Sequence, residues 1–580
     1  MNYRFYILCL IFALSLAPYF IKLGASSLWD ANEAFYAETP REMLEAGDFI
    51  NPSFNYQPRF NKPPLCYWIV AGFYKLFGVS EMSERLPLAF GAMLMVMTAF
   101  FLGRAAYSTE AGLLAAIALA TLPRFVMFSR RIMIDVYIAM FMGLTLLFFA
   151  LAEKYPDKRR RFLALMYLSI GLGVMTKGPV AIALPALAFL IYFAATRQLG
   201  KLRRMMLIGG AAIVAAIVLP WYAAVYTQHG IGYIESFLLQ DNLSRYTQPI
   251  WGPRRGFFFY IPVLLGDLFP WSLLLFLVMV ALVAPWVDYL YQKLKRRQQK
   301  RQDHDSPLFV SNGQHHQTLL FLIWALTIVG FYSLSRNKED LYISPIYTAA
   351  AALVGVGLAR FLDGKTINEP PALAARSWDF GRFVPAILPT IGLLVAFIGA
   401  ALFYLFGRPT LDYQLSGAAA IGIIAIGGGA TVAVTSFLKR HFTALAALAL
   451  TFVSINTVFV FRTLPDFERF KPIRPFCEVI AAKADSDALI GYYKIAAPSM
   501  VFYLRRQIFE IYNEEELLAA FASGREVYCV MSQSEYEAIK ARLPLPIVIL
   551  ASRPIFQVKL RGILDRRELP QVVLIANTTE

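Results

Sequence analysis

The sequence predicts a polytopic α-helical membrane protein with about thirteen transmembrane helices and a small external α/β domain. Three observations predict it. Of 580 residues, 58% are hydrophobic and only 16% charged, with a mean hydropathy of +0.53. Soluble domains run nearer half apolar and about a quarter charged. Apolar runs of about 20 residues, enough for a helix to cross a hydrocarbon core, recur through residues 1–464. Past residue 465 the composition turns to prolines, mixed charge and short β-like runs. Disorder, a disulfide scaffold and a collagen-like fibre are excluded by the same figures. The net charge of +16 would point to nucleic acid in a soluble chain. In a membrane chain it reflects basic cytoplasmic loops and phospholipid head groups, so membrane lipids are the expected partners and nucleic acid is not.

Taken in order, spans are expected near 5–23, 84–103, 109–127, 133–152, 162–176, 179–196, 205–226, 257–286, 317–334, 342–359, 383–406, 414–437 and 442–461. The first is read as a span and not a cleaved signal, because Pro18, Tyr19 and Lys22 fill the place of a small-residue cleavage site. Loop 24–83 is rich in apolar residues, and its segments 32–46 and 65–77 read as helices lying in the membrane interface. A short transmembrane segment is the alternative for 65–77. Basic clusters at Lys154 and Lys158–Arg161, at Arg197–Arg204, at Lys293–Arg301 and at Lys439–Arg440 fall in alternate connections, which makes those connections cytoplasmic. The N-terminus is then inside and the tail outside. Loops 24–83, 128–132, 227–256 and 335–341 share the outer side with residues 465–580. In that tail, runs at 508–512, 527–531 and 547–550 read as strands, with helix-like stretches at 513–522 and 533–542. Asn513 ahead of three glutamates starts a helix and Gly524 stops it. The four cysteines have no metal-ligand spacing, and a Cys477–Cys529 pair is left open.

Nucleotide-binding glycine loops and a Ser-His-Asp pattern are missing, since His229 is the lone histidine of the outer loops. Carboxylates and cations gather there instead, beside aromatics. Asp30, Asn32 and Glu33 follow the first span. Arg59, Asn61 and Lys62 precede the second interfacial helix. Arg130, Arg131 and Asp135 open the fourth span, Lys177 sits in a tight outer turn, Asn242, Arg254 and Arg255 precede the eighth span, and Arg336, Lys338 and Tyr342 precede the tenth. Plainer readings stand beside this one. Asp30 and Glu33 could cap the following helix, Arg130 and Arg131 could snorkel, Asp135 could pair with an arginine, and Lys177 could close its turn. Repeated breaches of the positive-inside pattern, next to carboxylates, favour a site for a phosphate-bearing ligand at the outer membrane boundary.

The run Leu28-Trp-x-x-Asn-Glu-Ala-x-Tyr-Ala-Glu38, then Pro40-Arg-Glu-Met, Phe60-Asn-Lys-Pro-Pro64, Arg85-Leu-Pro, Gly173-Val-Met-Thr-Lys-Gly178, Pro220-Trp221, Tyr260-Ile-Pro262 and Pro270-Trp271 resembles the aminoarabinose lipid A transferase family. The resemblance runs from about residue 5 to 350, is weaker over 383–461, and in the tail extends to position and general character. That family resembles protein O-mannosyltransferases and belongs to the type C glycosyltransferases. The resemblance implies transfer of a hexosyl or pentosyl unit, with inversion, from a polyprenyl-phosphate sugar to a glycolipid or other envelope acceptor. It implies the outer leaflet of a bacterial inner membrane, with a periplasmic tail. Lys62 and Tyr342 match positions that hold the carrier phosphate, with Arg59, Arg336, Lys338, Arg254 and Arg255 as further donor-phosphate candidates. Glu33, then Asp30, then Asp135 are the candidate base or orienting acids, and Asn32, Asn61 and Asn242 are acceptor or orienting positions.

The chain departs from the family at instructive places. Asn32 stands where an acid precedes Glu33. Asn61 and Asn242 stand where members with a metal place Glu and His. No metal and no cofactor are therefore expected, although the residues leave a divalent cation open. A lipid-linked sugar flippase without chemistry is the alternative function. It would favour internal repeats and helices broken at the midplane, and neither is visible in the sequence.

Overall fold

The computed structural model describes residues 3–235, 237, 244–247, 255–284, 313–365, 380–407, 415–543, 546–556 and 569–577. Its first ten α-helices are α1 (Tyr3–Phe20), α2 (Asn32–Ala46), α3 (Leu65–Phe77), α4 (Glu81–Ala106), α5 (Thr109–Ala120), α6 (Pro123–Phe128), α7 (Ile134–Lys154), α8 (Arg159–Lys177), α9 (Val180–Ala195) and α10 (Leu207–His229). Among the described residues, nine helices are long and apolar enough to cross a membrane. They are α1, α4, α7, α10, His316–Leu334, Asp340–Leu362, Phe380–Phe406, Ser416–Phe437 and His441–Glu468. The chain is a multi-pass membrane protein.

The other four expected spans are helical but differ from simple crossings. The segment 109–127 divides into α5 and α6, with Pro123 at the first position of the second, where its missing N–H costs nothing. The segment 162–176 lies in α8, whose three arginines at the start and Lys177 at the end keep it from being uniformly apolar. The segment 179–196 is the 16-residue α9. The segment 257–286 breaks into Phe257–Asp267 and Ser272–Ala284, with Pro270 between them, since proline cannot continue the hydrogen-bond ladder of a helix. Both interfacial segments of loop 24–83 are helices, α2 and α3, joined by the small hairpin β1 (Ser53–Phe54) and β2 (Gln57–Pro58).

Short basic connections and the loops expected outside separate to opposite ends of the bundle among the described residues. At one end Lys201 and Arg159 both pair with Glu153 at 2.6 Å, and Tyr107 donates to Asp363 at 2.6 Å. At the other end loop 24–83 meets residues 128–131, the C-terminal end of α10 and the tail. The basic run Lys293–Arg301 lies outside the described residues.

The tail carries a five-stranded mixed sheet of β3 (Leu489–Tyr493), β4 (Phe509–Ile511), β5 (Val527–Ser532), β6 (Val548–Pro554) and β7 (Gln571–Ala576), in the order β4-β3-β5-β7-β6. β3 pairs parallel with β4 and β5, and β7 pairs antiparallel with β5 and β6. Parallel neighbours need a crossover, and helices Ser499–Leu504 and Glu514–Phe521 supply the two. Asn513 caps the second by accepting from Glu515 N at 3.0 Å, as its sequence position predicts. The helix that begins at His441 runs on to Glu468 and so passes residue 464 without a break. All four cysteines are free; Cys477 and Cys529 are buried in separate apolar clusters.

The tail packs on loop 24–83 and fixes it. Phe54 shares an apolar core with Ile473, Phe476 and Tyr492, and Phe35 packs against it. Asn55 exchanges two hydrogen bonds with the Ile508 backbone, each 2.9 Å. Tyr503 OH accepts from Leu28 N at 2.8 Å.

Candidate functional site

α2 begins the site. Its first turn contains Asn32, which is exposed, and Glu33, which is 2% exposed. Glu33 takes Arg85 in a two-point ion pair, Nε to Oε1 at 2.8 Å and Nη2 to Oε2 at 3.1 Å. Its Oε2 also accepts from Trp29 N at 2.7 Å. Arg85, equally buried, donates further to the carbonyls of Leu23, Ser26 and Ser27. Each Glu33 oxygen is thus engaged by a guanidinium that also pins the chain leaving α1. A carboxylate so occupied has both oxygens committed to fixed donors and is poorly placed to take a substrate proton.

Asp30 faces the tail. Its Oδ1 accepts from Ser499 N and its Oδ2 from Ser499 Oγ, both at 2.8 Å. Ser499 is the first residue of a short helix, so the contact is a cap that fastens the loop to the tail. Burial pushes the Asp30 carboxyl up to about 6, against the opposing pull of the two Ser499 hydrogen bonds and Lys471. The folded state therefore binds this proton more tightly than the unfolded chain. The resulting stability is full below about pH 4, the unfolded value, and is lost as pH rises through about 6. Asp30→Asn is expected to flatten the fall in melting temperature between pH 4 and pH 6, measured on purified protein. An unchanged slope would remove Asp30 as its source.

The third carboxylate lies in a different setting. Asp135 stands in the first turn of α7 and Lys177 at the last residue of α8, where each charge suits its helix end. The two helices pack antiparallel, and Lys177 Nζ donates to Asp135 Oδ1, with both side chains about 15% exposed. Lys177 also lies over the Tyr342 ring, 4.7 Å from its centroid, and Tyr332 packs on that ring at 5.1 Å. Ser344 donates to the Asp135 carbonyl at 3.2 Å, tying the Tyr342 segment to α7. Tyr36, one turn along α2 from Asn32, is half-buried and lies within the fields of both Asp135 and Arg59. Asp135, Lys177 and Tyr342 thus converge with Tyr36 and Arg59 of loop 24–83. Arg59 lies over Phe35, 3.9 Å from the ring centroid, and its Nε is buried without a hydrogen-bond partner. Lys62 is half-buried, with Nζ donating to Asn61 O at 2.8 Å; the Asn61 side chain is exposed.

Loop 335–341 is organised differently from the sequence expectation. Lys338 is a buried residue whose Nζ donates to Ser335 O, so it closes its own turn instead of presenting charge. Arg255 donates to Lys338 O at 2.5 Å and faces Glu339 and Asp340 at 3.5 and 3.6 Å, which holds the loop down. Arg336 is exposed and joined to Tyr246 O through its backbone N–H at 3.0 Å. Asn242 and Arg254 lie outside the described residues. Beneath the loop is a network that was not singled out in the sequence. Arg124 bridges Asp267 at 2.5 Å and Asp340 at 2.6 Å, and Tyr347 OH donates to Asp267 at 2.6 Å. Lone charges within apolar runs, Arg124 in 109–127 and Asp267 in 257–286, are the signal that would have found it.

The residues do not fit the metal site implied by the family resemblance. Among the described residues no group of three or more His, Cys, Asp or Glu is placed to hold a metal ion. Asn61 offers a neutral amide, and His229 Nε2 is already 2.7 Å from Asn51 Oδ1, its ring 4.7 Å from Phe60. One imidazole and one amide do not make a zinc centre.

Comparison with known proteins places this geometry. A family model described as dolichyl-phosphate-mannose-protein mannosyltransferase matches residues 61–223. ArnT from Cupriavidus metallidurans in the apo state superposes with a TM-score of 0.75 at 22% identity, over 98% of this chain and 97% of that one. The same protein bound to undecaprenyl phosphate gives 0.72 at 22% identity, over 99% and 98%. The fold is that of a type C glycosyltransferase-like polytopic membrane protein. An undecaprenyl phosphate-α-4-amino-4-deoxy-L-arabinose arabinosyl transferase of Pectobacterium carotovorum is 28% identical over 346 residues, 59% of this chain and 57% of that relative. The chain is related to the aminoarabinose lipid A transferase family, as its motifs imply. It spans less than two thirds of that relative's length.

Proposed function

We propose that the protein is a glycosyltransferase that moves a pentosyl or hexosyl unit from a polyprenyl-phosphate carrier to a glycolipid or other envelope acceptor. The reaction would take place at the outer leaflet of a bacterial inner membrane, with the N-terminus cytoplasmic and the tail periplasmic. The observation that carries this reading is the convergence of Lys177, Asp135 and Tyr342 beneath loop 24–83. The relatives point the same way: one is named for an undecaprenyl-phosphate sugar and a fold neighbour binds undecaprenyl phosphate.

In the proposed reaction the bond from the anomeric carbon to the carrier phosphate breaks as a bond to the acceptor oxygen forms on the opposite face, inverting the centre. The leaving phosphate departs as an anion and needs positive charge at fixed positions more than it needs an acid. Lys177 and Lys62 supply charge, Tyr342 a hydroxyl donor, and Asp135 aims the Lys177 ammonium. Glu33 and Asp30 act through structure, Glu33 by holding Arg85 and Asp30 by holding the tail. Asn32, exposed in the first turn of α2, is the group on that turn left to orient an acceptor. All three candidate carboxylates are engaged with partners, which favours an acceptor that is already an anion. A phosphate oxygen attacks without first losing a proton, whereas a hydroxyl would need a base.

The test is an assay with purified protein and a radiolabelled polyprenyl-phosphate pentose. Release of polyprenyl phosphate with label on the acceptor is expected. An intact donor that merely changes leaflet would establish the flippase instead. In the same assay Lys62→Ala should raise the donor KM about 10- to 100-fold, the worth of a charge-assisted bond of about 1.5–3 kcal/mol. An unchanged donor KM would take Lys62 out of the site.

A further inference from the structure

The segment that carries Tyr342 is weakly held by its own backbone. It is the short 3-10 helix Asp340–Ile346, whose hydrogen-bond geometry is poorer than that of an α-helix, and Pro345 within it brings no N–H. Side chains at its two ends therefore set its place. Behind Tyr342, Ser344 donates to the Asp135 carbonyl at 3.2 Å, and Trp324 Nε1 donates to the Pro345 carbonyl at 3.0 Å. Ahead of Tyr342 the tie is Asp340, whose Oδ2 accepts from Arg124 Nη2 at 2.6 Å. Arg255 stands farther off, 3.6 Å from the other Asp340 oxygen.

Arg124 is the fixed end of that tie. Its other arm, Nη1, donates to Asp267 Oδ1 at 2.5 Å. Asp267 is fully buried and also accepts from Tyr347 OH at 2.6 Å. The guanidinium lies over the Phe128 ring, 5.1 Å from its centroid. One planar group thus spans two acids from two separate segments, of which the Asp340 side chain alone reaches solvent, at 37% exposure. Burying such charges adds little net stability over apolar packing of the same volume. What a guanidinium fork supplies, and an ammonium does not, is two carboxylates held in one plane at a set spacing.

We propose that Arg124 is a positioning residue for the transfer reaction. Through Asp340 it sets the seat of the Tyr342 ring, and through that ring the height of the Lys177 ammonium that meets the leaving phosphate. The proposal rests on the glycosyl-transfer reading above. The ring is the link, since its centroid lies 4.7 Å from Lys177 Nζ and 5.1 Å from that of Tyr332. Arg124 acts through Asp340 and needs no contact with the substrate.

Arg124→Lys in the full chain tests it, because a lysine keeps a cation beside the buried Asp267 and spares the fold while giving up the second arm. Asp340→Ala, at a partly exposed position, breaks the same tie from the other side. Each should lower the single-turnover rate at saturating radiolabelled undecaprenyl-phosphate pentose about 10- to 100-fold, the scale of a small misplacement at the reacting centre. The double variant should fall no further than the worse single one. In a Tyr342→Ala background, where the link is gone, either change should cost no more than about twofold. A merely structural role would instead multiply with Tyr342→Ala. An unchanged rate, or losses that multiply, overturns the proposal and leaves the glycosyl-transfer reading standing. Should the wild type transfer nothing, that reading fails, and the seat is judged without turnover. A fluorotyrosine placed at position 342 is followed by fluorine NMR as undecaprenyl phosphate is added. A resonance that responds in the wild type and loses that response in Arg124→Lys supports the proposal. A response that Arg124→Lys leaves intact overturns it, as does a wild-type resonance that does not move.

Discussion

Glu33→Gln is expected to cost about 3–5 kcal/mol of stability, the usual penalty for removing one partner of a buried ion pair. Activity should fall with it. The amide keeps the shape of the side chain but deprives the Arg85 guanidinium, 1% exposed, of its hydrogen-bonded counter-charge and leaves Glu84, 3.8 Å away, as its nearest acid. Arg85 at the same time holds three carbonyls at the exit from α1, at 2.7 to 3.1 Å. Loosening it therefore frees the start of loop 24–83, on which the whole site is built. The measurement is a melting curve of the purified variant beside its turnover. Asp30→Asn should be far milder, since Ser499 N can still donate to the amide oxygen while the amide NH2 donates to Ser499 Oγ. If Glu33→Gln melts like the wild type yet loses about 10²–10⁴ in turnover, the carboxylate is a base and its pairing with Arg85 is incidental.

What the sequence made legible was what depends on local pattern. Apolar length marked the spans, amphipathic composition marked α2 and α3, and Asn513 marked a helix start. Loops 24–83 and 128–132 could be grouped with the tail at one end because basic clusters mark the other. Partners were not legible. Glu33 meets Arg85 across 52 residues, and Asp135 meets Lys177 across 42. Nothing in either segment states which distant charge it faces. Lys338 misled for the same reason: a lysine in an outer loop reads as presented charge, but this one turns back onto Ser335 O and is buried. The breaks at Pro123 and Pro270 were visible as residues, and hydropathy averaged across them hid their effect. Resemblance pointed to Lys62 and Tyr342 for the carrier phosphate and gave Lys177 no role, although Lys177 ends the Gly173–Lys177 stretch of a quoted motif.

Lys177→Met is expected to lower turnover with saturating donor by about 10²–10³-fold, the scale seen when one fixed donor to a developing anion is removed. Lys177 is well placed for that work. It is held by Asp135, which fixes its direction, and it lies over the Tyr342 ring at 4.7 Å, which fixes its height. The site is partly closed, so its charge is less screened than at a free surface. Asp135→Asn should approach the same loss by a different route: the ammonium keeps its charge but loses the anion that aims it. The double variant should then cost little more than the worse single one, because residues acting as a unit are not additive. Folding should survive in each, as both side chains reach solvent and the pair closes no backbone hydrogen bond. Single-turnover kinetics separate these effects from donor binding. If instead Asp135→Asn abolishes turnover while Lys177→Met keeps most of it, Asp135 removes a proton, and the acceptor is a hydroxyl. A phosphate acceptor requires the opposite order, because its attacking oxygen carries no proton and the ammonium on the leaving phosphate is then the group that chemistry cannot spare.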